Sequence, residues 1–583
     1  MSSLTKRKMS LLVYGATVIT VGTLISRLLG LVKDNMIYNF TGEMVKSAYR
    51  DAFIVPDFLY NLLAGGALAA AFIPIFSRLL QEDKVEESNK TASSVINIVS
   101  IGVMVGLIII FAFAPELVSV IAQTKDLHQF NLTIILTREM CVMVIFTALS
   151  GLFTGILQSY KNYMVPVIIW VLYNVFSILG VTLFSKIPNS SVIPSCLHIT
   201  GDTIGVHGLA LGVVSGAVAM ALLQLPSMYK NGFRYYPIID LRIQSVREIG
   251  VLFLPAMIGI ALSQFNMLTA PQIMAKFVDG MPLKNVVYSA NRLVLLPMGL
   301  FAISIATAAF PILSRLGKPE QKEEFVKIFN ESLRSILLFI IPCGIGLFVI
   351  AYPIIMLLYS GDNSGYTSLQ STSLVLVTMV FSLFGLAVLQ IVNRGFYATK
   401  NTLIPVTVNT AMVVGNIVLS YFLITQTPLG LLSIGISTTS TSVAAAVILY
   451  CLFAKRIGGI DGRATLNVAF KMFISACIMG IVVLIISHIT APHVLVGENI
   501  IKISPLSSDW LRMPDLKHPI MDAPTAIGSL SLRMNLIFQV GLSMFIGMIV
   551  YFAMLIAFRV PGAVKYVNKL LIKLRLRKSE SEL

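Results

Sequence analysis

Long apolar runs and short polar breaks alternate along almost the whole chain. Each apolar run holds about 20 residues or more, the length an α-helix needs to cross the hydrocarbon layer of a membrane. Two longer stretches, 186–206 and 488–533, break the alternation with polar or mixed sequence. The pattern predicts fourteen membrane-spanning helices, at 10–38, 48–76, 92–121, 131–157, 164–185, 207–228, 248–275, 286–313, 332–359, 369–393, 403–425, 429–453, 467–487 and 534–558.

The composition agrees with a membrane-embedded chain. Hydrophobic residues make up 56% and charged residues only 12%, whereas a soluble globule carries about 25% charged residues. The net charge of +16 does not indicate nucleic-acid binding. Its basic residues lie mainly in short loops and in the tail from Arg559 onward, the pattern of a cytoplasmic membrane face.

The distribution of Lys and Arg predicts the orientation. Loops at alternate ends of the spans are basic, and so are both termini. Cytoplasmic loops carry the excess of Lys and Arg, so both termini are expected inside, which requires an even number of spans. The tail 561–583 reads either as an amphipathic basic helix on anionic lipid or as a solvated segment. The basic loops are 77–91, 158–163, 229–247, 314–331, 394–402 and 454–466.

An internal repeat relates the two halves. AFIPIFSRLLQEDKVEE (71–87) aligns with AAFPILSRLGKPEQKEE (308–324), and KNYMVPV (161–167) aligns with KNTLIPV (400–406) in nearly the same register. The repeat unit is therefore six spans, and an even number gives both halves the same orientation. The predicted fold is an all-α polytopic membrane protein with two pseudo-symmetric six-helix lobes around a central cavity and two extra C-terminal helices. The predicted domains are an N-lobe at 1–235, a C-lobe at 236–460, spans 13 and 14 at 461–560 with the outer insertion 488–533, and a basic cytoplasmic tail at 561–583.

Ionisable residues inside the predicted spans are the strongest chemical signal. Each costs roughly 3 kcal/mol at bilayer depth on insertion scales, and chains that keep them usually point them at a water-filled cavity. On a straight helix Arg27 and Asp34 share a face, whereas Lys33 lies near a helix end and could instead snorkel to the interface. Arg27 could also pair with Asp34 or Asp51 purely to steady the packing. Arg292 lies in the eighth span shortly before Pro297, where a kink is expected.

The cations of the two halves do not occupy equivalent positions. When the halves are aligned by the repeat, Arg27 corresponds to Gln264, and Arg292 corresponds to Val55. An asymmetric set of cations suits an asymmetric anionic ligand, and arginine binds phosphate oxygens through two parallel hydrogen bonds.

Other chemistries find little support in the sequence. No nucleophile-elbow, Walker or zincin motif stands where it would make sense, so we expect no enzyme, no catalytic residue and no cofactor. The five cysteines are scattered without a CxxC pair, and the six histidines show no metal-ligand spacing, so we expect no disulfide framework and no metal site.

Four stretches resemble the MurJ/MviN family of lipid II flippases: SRLLGLVKD (26–34), PDFLYNLLAGGALAAAFIPIF (56–76), YSANRLVLLPMGLFAISIATAAFPILS (288–314) and RGFYATKNTLIPV (394–406). The resemblance implies a fourteen-helix, two-lobed protein of the bacterial cytoplasmic (inner) membrane. It would move undecaprenyl-pyrophosphate-linked peptidoglycan precursor (lipid II) outward by alternating access, for cell wall synthesis. Spans 13 and 14 would form a groove for the lipid tail. The partners implied are lipid II, membrane lipid and the cell-wall synthesis machinery, with the protein itself a monomer.

The resemblance also implies site residues. The pyrophosphate-binding cations of the family correspond here to Arg27, Lys33 and Arg292. The supporting or gating residues it implies are Ser26, Asp34, Arg50, Asp51, Asp57, Asn61 and Asn291.

The sequence departs from the family at several of these positions. A family acidic residue corresponds to Ser47, a second-span arginine to Tyr60 and a gate glutamate to Gly65. Arg50 and Asp51 are close enough in sequence to substitute. The sodium-site carboxylate of some members has no counterpart in 251–270, so sodium coupling is unsupported and the membrane potential stays a candidate driver.

Three other functions remain open at this point. The first is export of another polyprenyl-diphosphate-linked glycan. The second is multidrug or cation antiport, which needs an embedded carboxylate; outside the first two spans the clearest one is Glu139, beside Arg138. The third is a scaffold that has lost transport.

Overall fold

The computed structural model of the protein describes most of the chain. The residues described are 22, 25–30, 32–37, 43–63, 66–122, 126–160, 162, 164–183, 205–251, 253, 257, 283–316, 319–359, 366–399, 401, 403–496, 499–506 and 530–560. The chain divides into two compact units, Met1–Gln272 and Ile273–Leu583. The predicted domain bounds remain a prediction, since the residues around this division lie outside the described ranges.

The first unit is helical throughout its described spans. Helix α1 comprises residues 25–30 and 32–37, and α11 comprises residues 244–251 at the start of the seventh predicted span. The helices between them are α2 (Glu43–Leu63), α3 (Gly66–Gln81), α4 (Val85–Ala112), α5 (Ala114–Ile121), α6 (Leu127–Cys141), α7 (Met143–Ser159), α8 (Met164–Thr182), α9 (Gly205–Leu222) and α10 (Leu225–Lys230).

The second unit has the same character, with one small hairpin. Its helices are α12 (Leu283–Pro297), a π-helix (Met298–Ile303), α13 (Ser304–Arg315), a 3-10 helix (Pro319–Gln321), α14 (Lys322–Val349), α15 (Ala351–Tyr359), α16 (Tyr366–Met379), α17 (Ser382–Ala398), α18 (Leu403–Gln426), α19 (Leu432–Ile457), α20 (Gly462–Ile489) and α21 (Leu530–Ala557). The hairpin strands are β1 (His493–Val496) and β2 (Asn499–Lys502), paired antiparallel.

Ten helical segments in the described residues are long and apolar enough to cross a membrane. The count becomes eleven when α16 and α17, which are bent by 49° at their junction, are taken as one span. The predicted all-α polytopic fold is confirmed, whereas the number fourteen is not. Predicted spans 1 and 7 lie largely outside the described residues, and α2 carries five charged side chains and Pro56.

The helix boundaries repeat in the register that the sequence predicts. Helix α4 begins at Val85 and α14 begins at Lys322, the position that the aligned motifs assign to it, and both helices are 28 residues long. Each is broken at the equivalent residue. Phe113 has φ −104° and ψ 22°, and Ile350 has φ −98° and ψ 19°. A second short helix follows in both halves, so the repeat extends to backbone geometry.

Close helix packing in the first unit depends on two glycines. A Cβ atom on Gly180 of α8 would lie 2.5 Å from the Cα of Gly212 on α9. Any larger residue at either position would force these helices apart, as expected where backbones approach this closely in membrane proteins. The core beside this contact is formed by residues of α2, α6, α7 and α9, such as Ala52, Met140 and Val213.

The eighth span loses regular α-helical geometry after Pro297. Proline has no N–H to donate and clashes with the carbonyl four residues earlier, so the kink expected there has a local cause. The chain runs as a π-helix from Met298 to Ile303 and returns to α-helix at Ser304. The Ser304 hydroxyl donates a 2.9 Å hydrogen bond to the Gly299 carbonyl, which satisfies one acceptor in the irregular segment.

The insertion 488–533 is tied to the second unit at its beginning. Gln539 of α21 is fully buried, and its amide nitrogen donates to the carbonyl and hydroxyl of Ser487 and to the carbonyl of Ile503, at 2.8, 3.0 and 3.0 Å. The His488 ring lies 2.7 Å from the Ser504 hydroxyl. The hairpin therefore has a fixed base, while residues 507–529 lie outside the described ranges.

Candidate cationic substrate site

Helix α1 presents its predicted site residues at different depths. Gly30, Lys33 and Ile37 recur at helical spacing and are buried, whereas Leu28 is 51% exposed. Arg27 and Asp34 are half-buried. Lys33 thus lies on the stripe that packs into the first unit, and its ammonium lies 4.0 Å from a carboxylate oxygen of Asp34.

An asparagine on α8 holds the turn that precedes Arg27. The amide nitrogen of Asn174 donates to the hydroxyl of Ser26 at 3.0 Å, to the carbonyl of Ser26 at 3.3 Å and to the carbonyl of Trp170 at 2.9 Å. Asn174 is only 7% exposed. The sequence did not single out Asn174. The sequence feature that could have indicated it is a side-chain amide inside the very apolar run 164–185, where an unsatisfied polar group is costly.

Helix α2 carries further charged groups into the first unit. Asp51 is 5% exposed, and Arg50 and Asp57 are half-buried. The side chain of Asn61 lies outside the described residues. Lys46, which lies just before the predicted second span at 48–76, is 1% exposed within α2. Several charged side chains therefore share one helix next to an apolar core, as expected of functional rather than packing positions.

The second unit holds Asn291 and Arg292. Both are half-buried on α12, one and two residues beyond the buried Ala290. Tyr288, one turn before Arg292, is 41% exposed. Arg292 therefore lies beside an exposed surface of its unit. The predicted site residues are thus divided between the two units, with Arg27, Lys33 and the α2 residues in the first and Arg292 in the second.

Arg394 lies within α17, although the sequence analysis placed it in the basic loop 394–402 and did not select it as a site residue. One terminal nitrogen donates to the Thr307 hydroxyl at 2.8 Å; the other donates to the carbonyl and side-chain oxygens of Gln390 at 3.2 and 3.1 Å. All of these acceptors are neutral, and no ion pair to Arg394 is found among the described residues. Its half-buried charge is therefore held in place without being neutralised. The sequence could have indicated Arg394, because it is the first residue of the family-like stretch RGFYATKNTLIPV.

Glu139 of α6 contacts a histidine of α9. One of its carboxylate oxygens lies 2.8 Å from Nδ1 of His207, whose side chain is 7% exposed. Its other carboxylate oxygen is buried without a hydrogen bond to any described residue. Groups of three or more His, Cys, Asp or Glu side chains that could hold a metal do not occur in the described ranges.

Comparison with known protein families identifies the family of this chain. The sequence model of the lipid II flippase MurJ family matches residues 36–504, well over half of the chain. The chain belongs to the MurJ family. A relative from Bdellovibrio bacteriovorus, named a probable lipid II flippase MurJ, is 27% identical over 464 residues, covering 78% of this chain and 84% of that protein. The lipid II flippase MurJ of Burkholderia cenocepacia is 25% identical over 391 residues, covering 66% of this chain and 73% of its own length.

Solved structures agree on the fold. A lipid II flippase MurJ in an inward-closed conformation matches with a TM-score of 0.67 at 21% identity, over 93% of this chain and 98% of that one. The Vibrio cholerae MATE transporter VcmN matches with a TM-score of 0.57 at 15% identity, over 77% and 97%. MurJ and MATE proteins thus share this multi-helix architecture, so the fold alone does not choose between them.

Proposed function

We propose that this MurJ-family protein moves a lipid-linked peptidoglycan precursor, lipid II, from the inner to the outer leaflet of the bacterial cytoplasmic membrane by alternating access. It does so as a transporter without a catalytic step. Family membership over most of the chain supports this function. The observation that carries it is the set of half-buried cations on the membrane helices of both units: Arg27, Arg292 and Arg394.

The chemistry of these cations fits a pyrophosphate. An arginine on an exposed surface at membrane depth is costly against hydrocarbon and inexpensive against water or a bound anion. The planar guanidinium matches two phosphate oxygens at once. We assign Arg27, Lys33 and Arg292 to pyrophosphate binding, with Lys33 contributing after the helix turns or the Lys33–Asp34 contact opens.

The remaining predicted site residues are assigned to support. Ser26 fixes the backbone before Arg27, and Asn291 precedes Arg292. The carboxylates of Asp34, Asp51 and Asp57 keep the cations in position while the site is empty. Arg50 and Asn61 belong to the same α2 stretch and are assigned to support or gating.

A groove on the second unit supports a lipid cargo. It has a volume of about 590 Å³ and lies between α14, α17 and α20, with Arg463 and Asn467 as its polar residues. Leu466 and Phe470, which line it, are 72% and 61% exposed. Such an exposed apolar surface suits a polyprenyl chain. The described groove involves α20 (span 13) and not α21 (span 14), which differs from the pair implied by the family resemblance.

The topology and partners complete the proposal. Both termini lie in the cytoplasm, because the basic residues cluster in the loops on that side. The protein works as a monomer, with lipid II and membrane lipid as its ligands and with the cell-wall synthesis machinery as a partner.

The antiporter alternative is less well supported by the contacts. That class needs a carboxylate available to a cationic drug, and the clearest embedded carboxylate outside the first two spans, Glu139, already contacts His207 at 2.8 Å. The cations assigned above would repel such a drug.

The test is transport of the substrate itself. The purified protein in vesicles should expose fluorescent lipid II to an impermeant quencher, and its gene should rescue cells depleted of their own lipid II flippase. Export of a different undecaprenyl-pyrophosphate glycan without any movement of lipid II would replace the proposed cargo. Efflux of cationic compounds without lipid movement would overturn the function.

A further inference from the structure

The segment between α10 and α11 is neither a span nor a helix. We call residues 233–243 the strap. It follows Lys230 at the end of a membrane span and precedes residue 244, where α11 begins. Phe233 fixes its start in the core of the first unit, with 2% of its surface exposed. The strap lies in loop 229–247, which the basic-residue pattern assigns to the cytoplasmic side.

The strap is bound along α4 by specific hydrogen bonds. The strap backbone belongs to no helix or strand, so its polar groups need other partners, and side chains of α4 supply several of them. The backbone contacts are Tyr236 N–H to Ser93 Oγ at 3.0 Å, Asp240 N–H to Ser94 Oγ at 3.3 Å, and Asn97 Nδ2 to the Ile238 carbonyl at 2.9 Å. In addition, the Tyr235 hydroxyl donates to the side-chain oxygen of Asn97 at 2.8 Å.

These contacts place the strap at the edge of the membrane. The first turns of α4 are polar, with Glu86, Glu87 and Lys90, and the sequence becomes apolar from Val95 onward. The hydrocarbon layer therefore begins near Val95, since polar residues at the end of a span lie in the headgroup region. Ser93 and Asn97 flank this point, so the strap runs at the level of the headgroups.

The outer side of the strap mixes apolar and cationic groups. Tyr235, Ile239 and Leu241 are 45%, 54% and 61% exposed, and the exposed Arg234 and Arg242 flank them at the two ends of the strap. Neither guanidinium has an ion-pair partner among the described residues. Exposed aliphatic side chains, a tyrosine and unpaired arginines in one short segment favour a membrane interface, where apolar groups enter the acyl boundary and cations meet phosphates.

We propose that the strap is an anionic-phospholipid binding surface that fixes the first unit in the headgroup layer. Arg234 and Arg242 bind headgroup phosphates, and Ile239 and Leu241 insert at the acyl boundary. Each basic residue near an anionic membrane surface contributes about fivefold in affinity. The surface binds bulk anionic lipid of the leaflet and does not depend on the proposed transport of lipid II.

The first test measures retained lipid. The Arg234→Gln/Arg242→Gln double variant should lose roughly twenty-fivefold in affinity for phosphatidylglycerol, measured by native mass spectrometry of the purified protein. The matched control is Lys455→Gln/Arg456→Gln, which removes two exposed cations from the last turn of α19, predicted on the same membrane side. An equal loss in both double variants would show attraction to net charge alone and would overturn the site.

The second test measures depth. A fluorophore on a single cysteine at Ile239 should be quenched by nitroxides on lipid headgroups and protected from aqueous iodide, in vesicles that contain phosphatidylglycerol. The same fluorophore at Glu324, an exposed residue of α14, serves as the aqueous control. Iodide quenching at Ile239 equal to that at Glu324 would show the strap in water and overturn the proposal. Transport is not needed for either readout, so failure here leaves the proposed function untouched.

Discussion

Asn174 of α8 donates a 3.0 Å hydrogen bond to the hydroxyl of Ser26, the residue directly before Arg27. The same amide nitrogen also meets the Ser26 carbonyl, so one buried side chain fixes both the backbone and the side chain of that turn. Arg27 therefore starts from a turn whose position is set by a neighbouring helix.

The first prediction concerns this positioning. Asn174→Ala should lower lipid II transport by about tenfold, because losing hydrogen bonds of this kind costs on the order of 1–2 kcal/mol and releases the turn that carries Arg27. Ser177→Ala is the control, since among the described residues the Ser177 hydroxyl donates only to the carbonyl of Tyr173 within α8. Equal transport by the two variants would remove Asn174 from the positioning role. Protein yield in the membrane should match in both.

The second prediction concerns the assigned cations. Arg27→Ala and Arg292→Ala should each lower transport thirtyfold or more, since an unpaired, desolvated ligand charge costs roughly 2–5 kcal/mol. Arg292→Lys should fall in between because it keeps the charge and loses the planar fork. Lys33→Arg should be tolerated. Quencher access to fluorescent lipid II in vesicles measures all four, and wild-type flipping by both alanine variants would sink the cationic mechanism.

The third prediction concerns Arg394. We propose Arg394 as a further hydrogen-bond donor to the anionic substrate, beside the three assigned cations. Arg394→Gln should then lower transport about tenfold, because a charged hydrogen-bond partner contributes about 1.5–3 kcal/mol. Thr307→Val, which removes the 2.8 Å contact that orients the guanidinium, should have a smaller effect in the same direction. Arg334→Gln is the control in the same unit, since Arg334 already contacts a carboxylate oxygen of Asp461 at 3.7 Å. If Arg334→Gln were as defective as Arg394→Gln, the effect would be structural.

The fourth prediction concerns topology. In a variant without native cysteines, Lys84→Cys and Glu324→Cys should be shielded from an impermeant thiol reagent in intact cells, whereas His128→Cys and Leu506→Cys should react. All four positions are exposed in the structure, so shielding reports the membrane and not burial. Ser88 would be a poor choice, since its surface is fully buried. Labelling of Lys84→Cys in sealed cells would reverse the orientation.

The fifth prediction concerns the insertion 488–533. Deleting residues 507–525 should leave transport largely intact, because the described anchoring contacts lie outside the deleted segment. Gln539→Leu should instead destabilise the protein by about 1–3 kcal/mol, since three buried acceptors lose their donor. Thermal unfolding of the purified protein measures this, with Phe538→Leu, at a 60% exposed neighbour, as the control. Loss of transport by the deletion at normal yield would give the loop a gating or partner role.

The sequence located many of the spans that the structure describes, because each apolar run ends in polar residues. The run 403–425, for example, became helix α18 at Leu403–Gln426. The internal repeat was also readable, since motifs at the ends of equivalent spans kept their spacing. These features are local, and hydropathy or alignment captures them directly.

Contacts between distant segments could not be obtained in this way. The predicted second span begins at residue 48 and so leaves Lys46 outside it, yet Lys46 is buried in α2, because a helix can begin before its apolar stretch does. The pairing of Glu139 with His207 and of Arg394 with Thr307 joins residues far apart in the chain. The site assignments remain predictions for the same reason.

The matched breaks at Phe113 and Ile350 bear on how the fold is specified. Two unrelated side chains adopt nearly the same dihedral angles at equivalent positions, so the break does not depend on the identity of the residue at which it occurs. The charged side chains do not follow this symmetry, since Arg27 and Arg292 have no counterparts in the other copy. Backbone plan and charge are therefore separable properties of this chain: the two copies share the first and differ in the second.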